Sequence, residues 1–181
     1  PNPIDTSIFK PAPARPADSG PRTLLYVGRV HPEKGVHLLV EAFQILRQQR
    51  PDWRLRVVGP VATAQGGGGD AYLQRLRQLA GSGPVKFCEP VYDLAQLADT
   101  YRAADLFCYP SIAEQGESFG VAPLEAMACG VAPVVSGLAC FRDFITAGEN
   151  GWFFDHKSSN PVGSLAKLLL NATHDHAQRS S

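Results

Sequence analysis

The sequence predicts an α/β fold, a doubly wound parallel sheet of about six strands with helices on both faces. Two observations support this prediction. Short apolar runs alternate with longer amphipathic runs six times along the chain, and such alternation is typical of parallel strands joined by right-handed helical crossovers. The length of 181 residues is that of one domain with a substantial buried core.

Each predicted element rests on a local pattern. The first strand is an apolar, β-favouring run at 23–27 that ends in Gly28, and the first helix repeats apolar residues at helical spacing from Val36 to Leu46. The same reading gives strands at 23–28, 53–59, 84–88, 105–109, 131–135 and 151–154. Helices are predicted at 35–49, 70–81, 93–103, 120–129, 139–146 and 161–171, with an extended lead-in over 1–21 and a flexible tail over 172–181.

Composition argues against several classes of protein. Seventeen basic and seventeen acidic residues give zero formal charge, so no nucleic-acid-binding footprint is evident. No apolar run approaches the ~18–20 residues of a membrane span, and no signal peptide opens the chain.

The four cysteines lack the paired spacing of metal ligands and are interpreted as reduced core thiols of a cytoplasmic protein. A start at Pro1 without Met indicates a fragment.

The turn after the first predicted strand is suited to an anion. Arg29 and Lys34 lie between Gly28 and Gly35, at the carboxyl end of that strand, where open α/β sheets bind their ligands. A guanidinium fork and an ammonium point charge together match a diphosphate. A solvated basic turn explains this segment equally well when it is taken alone.

A second segment places two carboxylates eight positions apart. A helix beginning near Gly120 would carry Glu125 on its second turn, roughly 10 Å from Glu117 at 1.5 Å per residue. The free backbone N–H groups at Phe119, Gly120 and Val121 would face an anion between them. Hydroxyls at both ends and an anion in the middle describe a nucleotide sugar. Alternatively, both glutamates are solvated residues of an ordinary amphipathic helix.

Together these segments resemble the C-terminal, donor-binding half of the retaining GT-B glycosyltransferases of family four. Arg29 and Lys34 match that family's basic loop, and Glu117 and Glu125 match its paired glutamates with seven residues between them. Further similarities occur in chain order at 2–11, 105–111, 130–135 and 148–151. The resemblance covers nearly the whole chain and implies a Rossmann-like fold.

The resemblance also implies an activity and a site. A sugar would pass from a nucleotide donor to an acceptor hydroxyl with retained anomeric configuration. The reaction would belong to polysaccharide or glycoconjugate biosynthesis. Arg29 and Lys34 would stabilise the diphosphate that leaves, Glu117 would hold the donor sugar, and Glu125 the ribose. The full set comprises the catalytic residues Arg29, Lys34 and Glu117 and the donor-binding residues Gly28, Phe87, Cys88, Ser118, Phe119, Gly120, Val121, Leu124 and Glu125.

Neither a metal nor a cofactor is expected besides the donor, for which a UDP-sugar is favoured over a GDP-sugar. The expected partner is an N-terminal acceptor-binding domain of the same protein, an arrangement compatible with peripheral association at the inner face of the membrane through that other half. None of the four proposed charged residues is assigned to the core, so alanine substitutions there are expected to leave stability nearly unchanged.

Three further interpretations stay open from the sequence. A nucleotide-sugar epimerase of related fold is a second candidate, although it would need more acid/base carboxylates than Glu117 provides. A non-catalytic nucleotide-binding module is a third. The run Gly66–Gly69 lacks the Lys-Ser/Thr ending of a P-loop, so it is predicted to be a flexible surface loop that could border the ligand cleft.

Overall fold

A computed structural model describes residues 4–12, 20–117 and 120–179, with side chains through Thr173. The strands are β1 (Arg22–Val27), β2 (Trp53–Val58), β3 (Val85–Cys88), β4 (Leu106–Tyr109), β5 (Pro133–Ser136) and β6 (Trp152–Phe154). The helices are α1 (Val36–Gln49), α2 (Gly69–Ala80), α3 (Leu94–Arg102), α4 (Val121–Ala128) and α5 (Pro161–Arg179). All six predicted strands are confirmed, as are five of the six predicted helices.

The strands form one sheet in the order β3-β2-β1-β4-β5-β6, and every neighbouring pair is parallel. Leu24 of β1 pairs with Leu55 of β2 on one side and with Leu106 of β4 on the other. The strand order therefore reverses between β1 and β4. In a doubly wound sheet, this switch point opens a crevice at the carboxyl ends of the two central strands.

The core is centred on β1 and its helical cover. Leu24, Leu25 and Tyr26 are fully buried although successive side chains point to opposite faces of the strand, so both faces of the sheet are covered there. Helix α1 packs against α2 and α5, whereas α3 packs against α4. This two-sided cover confirms the predicted α/β architecture.

Two elements differ from their prediction. Residues 139–146 were expected to be an α-helix, but the structure has a short 3₁₀ turn, Ala139–Asp143. Within this turn, the ring of Phe141 is fully buried against Gly120 and Tyr109, contacts with distant segments that the local pattern does not contain. Helix α5 continues past its predicted end to Arg179, so residues 172–179 of the expected tail are helical, and Ala172 and Thr173 are buried.

The described part of the lead-in is docked on the domain. Residues 6–9 form a turn and a bend, and Phe9 is 4% exposed with its ring edge-on to Tyr101. The Arg102 guanidinium donates a hydrogen bond to the backbone carbonyl of Ile8. These contacts replace the purely extended approach that was predicted. Among the described residues, no helix combines the length and the apolar character that crossing a membrane requires.

Candidate functional site

Two loops meet at the switch point of the sheet. The first follows β1 and contains a 3₁₀ turn, Pro32–Lys34, before α1 begins. The second follows β4 and extends from Pro110 to the start of α4 at Val121. Because β1 and β4 are neighbours, the two predicted anion-suited segments lie side by side at the carboxyl edge of the sheet.

Lys34 and Glu117 form an ion pair across these loops. Lys34 Nζ lies 2.6 Å from Glu117 Oε2, and the two side chains are only 7% and 8% exposed. The hydroxyl of Ser111 donates to the same carboxylate oxygen at 2.7 Å, and that of Tyr109 at 3.4 Å. The structure therefore brings together two sequence-predicted residues that lie 83 positions apart, and it places both in the interior rather than in solvent.

Glycine allows the two loops to approach this closely. Gly35 has a φ of 65°, and a Cβ atom there would lie 2.1 Å from the carbonyl oxygen of Pro110. Next to it, the Ile112 amide donates to the Glu33 carbonyl oxygen at 2.9 Å. The backbone contact thus holds the start of the second loop against the first, and it sets the position from which Lys34 reaches Glu117.

Arg29 lies at the outer side of the same site. Its guanidinium donates to the backbone carbonyl of Gly66 at 2.8 Å and to the Glu33 carboxylate at 2.5 Å, and the side chain is 42% exposed. The Arg29–Glu33 pair lowers the Glu33 pKa below its ordinary value, against the opposing effect of burial. The glycine run, predicted to be a flexible surface loop that could border the ligand cleft, is therefore bonded to the basic loop through Gly66.

Glu125 occupies a separate position on α4. Its carboxylate accepts a hydrogen bond of 2.8 Å from the hydroxyl of Tyr101 on α3. Burial raises the Glu125 pKa, and the Tyr101 hydrogen bond partly opposes that rise. The two glutamates therefore have different partners on different elements.

The remaining predicted residues that the structure describes lie toward the same edge of the sheet, at different distances from the Lys34–Glu117 pair. Gly120 has a φ of 63° and contacts Phe141, and it directly precedes the first residue of α4, Val121. Phe87 and Cys88 end β3, which is separated from β1 by β2, so they lie at the border of the site. Gly28 directly follows β1, and Leu124 is half-buried on α4. Ser118 and Phe119 lie outside the described residues.

Sequence reasoning missed three side chains that serve the site: Tyr109, Ser111 and Tyr101. The first two hydroxyls contact Glu117 and the third contacts Glu125. Burial, reinforced by the Glu117 charge, raises the Tyr109 pKa, so its hydroxyl stays protonated and can donate. Tyr109 and Ser111 could have been suspected because the first ends a predicted strand at the ligand-binding edge and the second follows that strand. Nothing local marks Tyr101.

Within the described ranges, no group of three His, Cys, Asp or Glu side chains comes together in a way that could hold a metal ion.

Comparison with known proteins gives consistent similarities. The family model described as glycosyl transferases group 1 matches residues 10–180. A D-inositol 3-phosphate glycosyltransferase of Thermobispora bispora is 36% identical over 178 residues, which cover 92% of this chain and 40% of that protein. A phosphatidyl-myo-inositol mannosyltransferase of Mycolicibacterium smegmatis is 37% identical over 157 residues, which cover 83% of this chain and 37% of that protein. The chain thus spans about two fifths of the length of these relatives.

Solved structures show the same fold. The C-terminal domain of the glycosyl transferase group 1 family protein LpcC from Francisella tularensis superposes with a TM-score of 0.75 at 24% identity, covering 98% of this chain and 91% of that one. Anabaena HepE, solved in complex with UDP and glucose, gives a TM-score of 0.67 at 22% identity, covering 99% of this chain and 52% of that one.

Proposed function

Because this chain belongs to the group 1 glycosyltransferases and has the fold of the C-terminal domain of GT-B members, we propose that it is the donor-binding half of a retaining glycosyltransferase. The proposed donor is a UDP-sugar, with a GDP-sugar as the second choice, and the proposed reaction needs no metal. An acceptor-binding half of a longer protein would supply the rest of the site, in keeping with relatives that are more than twice as long.

The buried Lys34–Glu117 pair is the observation that carries this proposal. Burying two charges costs free energy that a well-packed apolar pair would not, so a pair kept at the ligand-binding edge points to a role beyond stability. All three described bonds to the Glu117 carboxylate go to Oε2. Its Oε1 accepts none from the described residues, which leaves that oxygen for hydroxyls of the donor sugar.

The positive charges of Lys34 and Arg29 suit cleavage of the bond between the donor sugar and the diphosphate. Negative charge grows on the diphosphate as the bond to the sugar lengthens, so cations beside it stabilise the transition state more than the ground state. Lys34 uses one of its three N–H groups on Glu117, and Arg29 is 42% exposed at the outer side. The Glu117 charge would in turn favour the positive charge that develops on the sugar.

Glu125 is proposed to hold the ribose. The Tyr101 hydroxyl donates to its Oε2, which orients the carboxylate and leaves Oε1 without a described bond. Ribose hydroxyls change little during transfer, so this contact would serve binding rather than the chemical step. The names of the relatives support an acceptor hydroxyl on an inositol-containing molecule, in a glycoconjugate pathway.

Calorimetric titration of residues 1–181 with UDP, GDP and UDP-glucose tests the donor. We expect UDP to bind, and Arg29→Ala to weaken it about tenfold or more through loss of a charge-assisted bond. Arg54→Ala is the matched control, because Arg54 is an exposed arginine near the amino end of β2 and should leave affinity unchanged. Absence of UDP and GDP binding at millimolar concentration would overturn the proposal.

Two variants distinguish the roles of the glutamates. Glu125→Gln should weaken UDP and UDP-glucose alike, whereas Glu117→Gln should weaken UDP-glucose more than UDP. The 181-residue chain should bind donor without transferring sugar, because positioning an acceptor is worth ~7–11 kcal/mol of the barrier. Incubation of a longer protein that contains it with donor and acceptor separates the alternatives: a glycoside product supports the proposal, and an epimerised donor or no reaction contradicts it.

A further inference from the structure

The loop that carries Glu117 is attached to the protein at a second place, far from the β1 loop. Glu114 accepts a hydrogen bond from His156 Nε2 at 2.8 Å and one from Lys157 Nζ at 2.9 Å. Both partners directly follow β6 at the carboxyl edge of the sheet, 42 and 43 positions further along the chain. The carboxylate therefore joins the β4–α4 loop to the far side of the sheet.

The His156 ring is held in one orientation. Its side chain is 6% exposed, and the ring lies edge-on to Phe154 at 6.4 Å between centroids. A carboxylate only accepts hydrogen bonds, so Nε2 must carry the hydrogen that it shares with Glu114. The other ring nitrogen, Nδ1, is buried without a hydrogen-bond partner among the described residues.

An unpartnered buried nitrogen costs free energy, yet the ring lies inside with Nε2 directed at Glu114. Beside it, a Cβ atom on Gly137 would lie 3.8 Å from Nδ1, so the β5 loop packs against the side of the ring that has no bond. Among the described residues, the one hydrogen-bond partner of the packed ring is therefore Glu114 of the Glu117-bearing loop.

The placement of Glu114 within the loop gives the contact its significance. Ile112 is bonded to the β1 loop through its amide, and Glu117 through its carboxylate. Between them lies an exposed turn in which Gly116 adopts a φ of 90°. Among the described residues, Glu114 is the only residue of this turn whose side chain forms hydrogen bonds with another loop, the one that follows β6. Without it, the segment leading into Glu117 would be held only at its two ends.

We propose that Glu114 and His156 are positioning residues that hold the Glu117 carboxylate in register with the donor sugar. This inference rests on the proposed function, since it assigns Glu117 to the transferred sugar. Lys157 adds charge to the pair from a side chain that is 66% exposed, and it is a lesser contributor because exposed ion pairs contribute little.

The test compares residues 1–181 carrying Glu114→Ala, Glu114→Gln or His156→Gln with the parent chain, using calorimetry with UDP and UDP-glucose. Glu114→Ala should weaken UDP-glucose about two- to fivefold, since the Glu114 side chain is 51% exposed, and leave UDP affinity unchanged, because UDP lacks the sugar that Glu117 holds. Glu114→Gln keeps an acceptor for Nε2 and should recover most of the loss. Glu149→Ala, an exposed glutamate of a different turn, is the matched control.

Hydrogen exchange without nucleotide provides a second readout. Amides 112–117 should exchange faster in Glu114→Ala and at the parent rate in Glu149→Ala. If the parent chain binds neither UDP nor UDP-glucose, the proposed function fails whatever the exchange shows. If the parent binds both and Glu114→Ala matches it in UDP-glucose affinity and in exchange, the positioning role is wrong although the proposed function stands.

Discussion

Removing one partner of the Lys34–Glu117 pair should lower the free energy of unfolding of the domain, whereas the sequence alone predicts nearly unchanged stability. Lys34→Met takes away the ammonium 2.6 Å from Glu117 Oε2 while keeping most of the side-chain volume. The carboxylate, 8% exposed, then retains only the hydroxyls of Ser111 and Tyr109. This outcome would correct the expectation that substitutions at these positions leave stability unchanged.

The magnitude follows from burial. Breaking a buried pair costs ~3–5 kcal/mol because the remaining charge is uncompensated, and the two remaining hydroxyl donors favour the lower end. For a chain of this size, each kcal/mol lowers Tm by ~2–4 °C, so Lys34→Met should melt ~6–12 °C below the parent. Lys34→Met combined with Glu117→Gln removes both charges, and its cost should be well below the sum of the two single costs.

Urea unfolding of residues 1–181 without nucleotide measures all four chains of this cycle. Asp99→Asn is the control, because its ion pair with Arg102 has an Asp side chain that is 73% exposed and should be worth less than ~1 kcal/mol. If the free energies of unfolding of both single variants lie within ~0.5 kcal/mol of the parent value, the two charges are not paired in the interior.

Two further predictions concern stability. Gly35→Ala should destabilise the domain more than Gly81→Ala in urea unfolding. Both glycines have positive φ, but a Cβ at Gly35 would meet the Pro110 carbonyl oxygen, whereas one at Gly81 would meet nothing within 4 Å. Equal losses of stability would contradict the loop contact. Burial and, less strongly, Arg75 lower the His37 pKa from 6.5, so the unfolded chain takes up this proton first as pH falls. Stability should therefore decrease below pH 6.5 in the parent, more steeply than in His37→Gln; parallel pH profiles would show that His37 is not the group involved.

The alternation of strands and helices could be predicted because it depends on local patterns. Strands buried on both faces are continuous apolar runs, as at Leu24–Tyr26, and amphipathic helices repeat at their own period. The loops with Arg29 and Glu117 could be assigned to one edge of the sheet because every strand of a parallel sheet ends there. The 3₁₀ turn around Phe141 could not, since the local pattern there is helical and the contacts of the Phe141 ring with Gly120 and Tyr109 are made between distant segments.

Local patterns predict most of the helices and strands, and they place the charged residues on loops at the ligand-binding edge. What those residues contact depends on the tertiary structure. Glu117 bonds to Lys34 across 83 positions, Glu125 to Tyr101 across 24, and Glu114 to His156 across 42. Such contacts depend on strand order and on how closely loops approach, and neither property is encoded in the periodicity of a segment. Burial of the Lys34–Glu117 pair follows from the same packing, and it places in the interior two residues that were not assigned to the core.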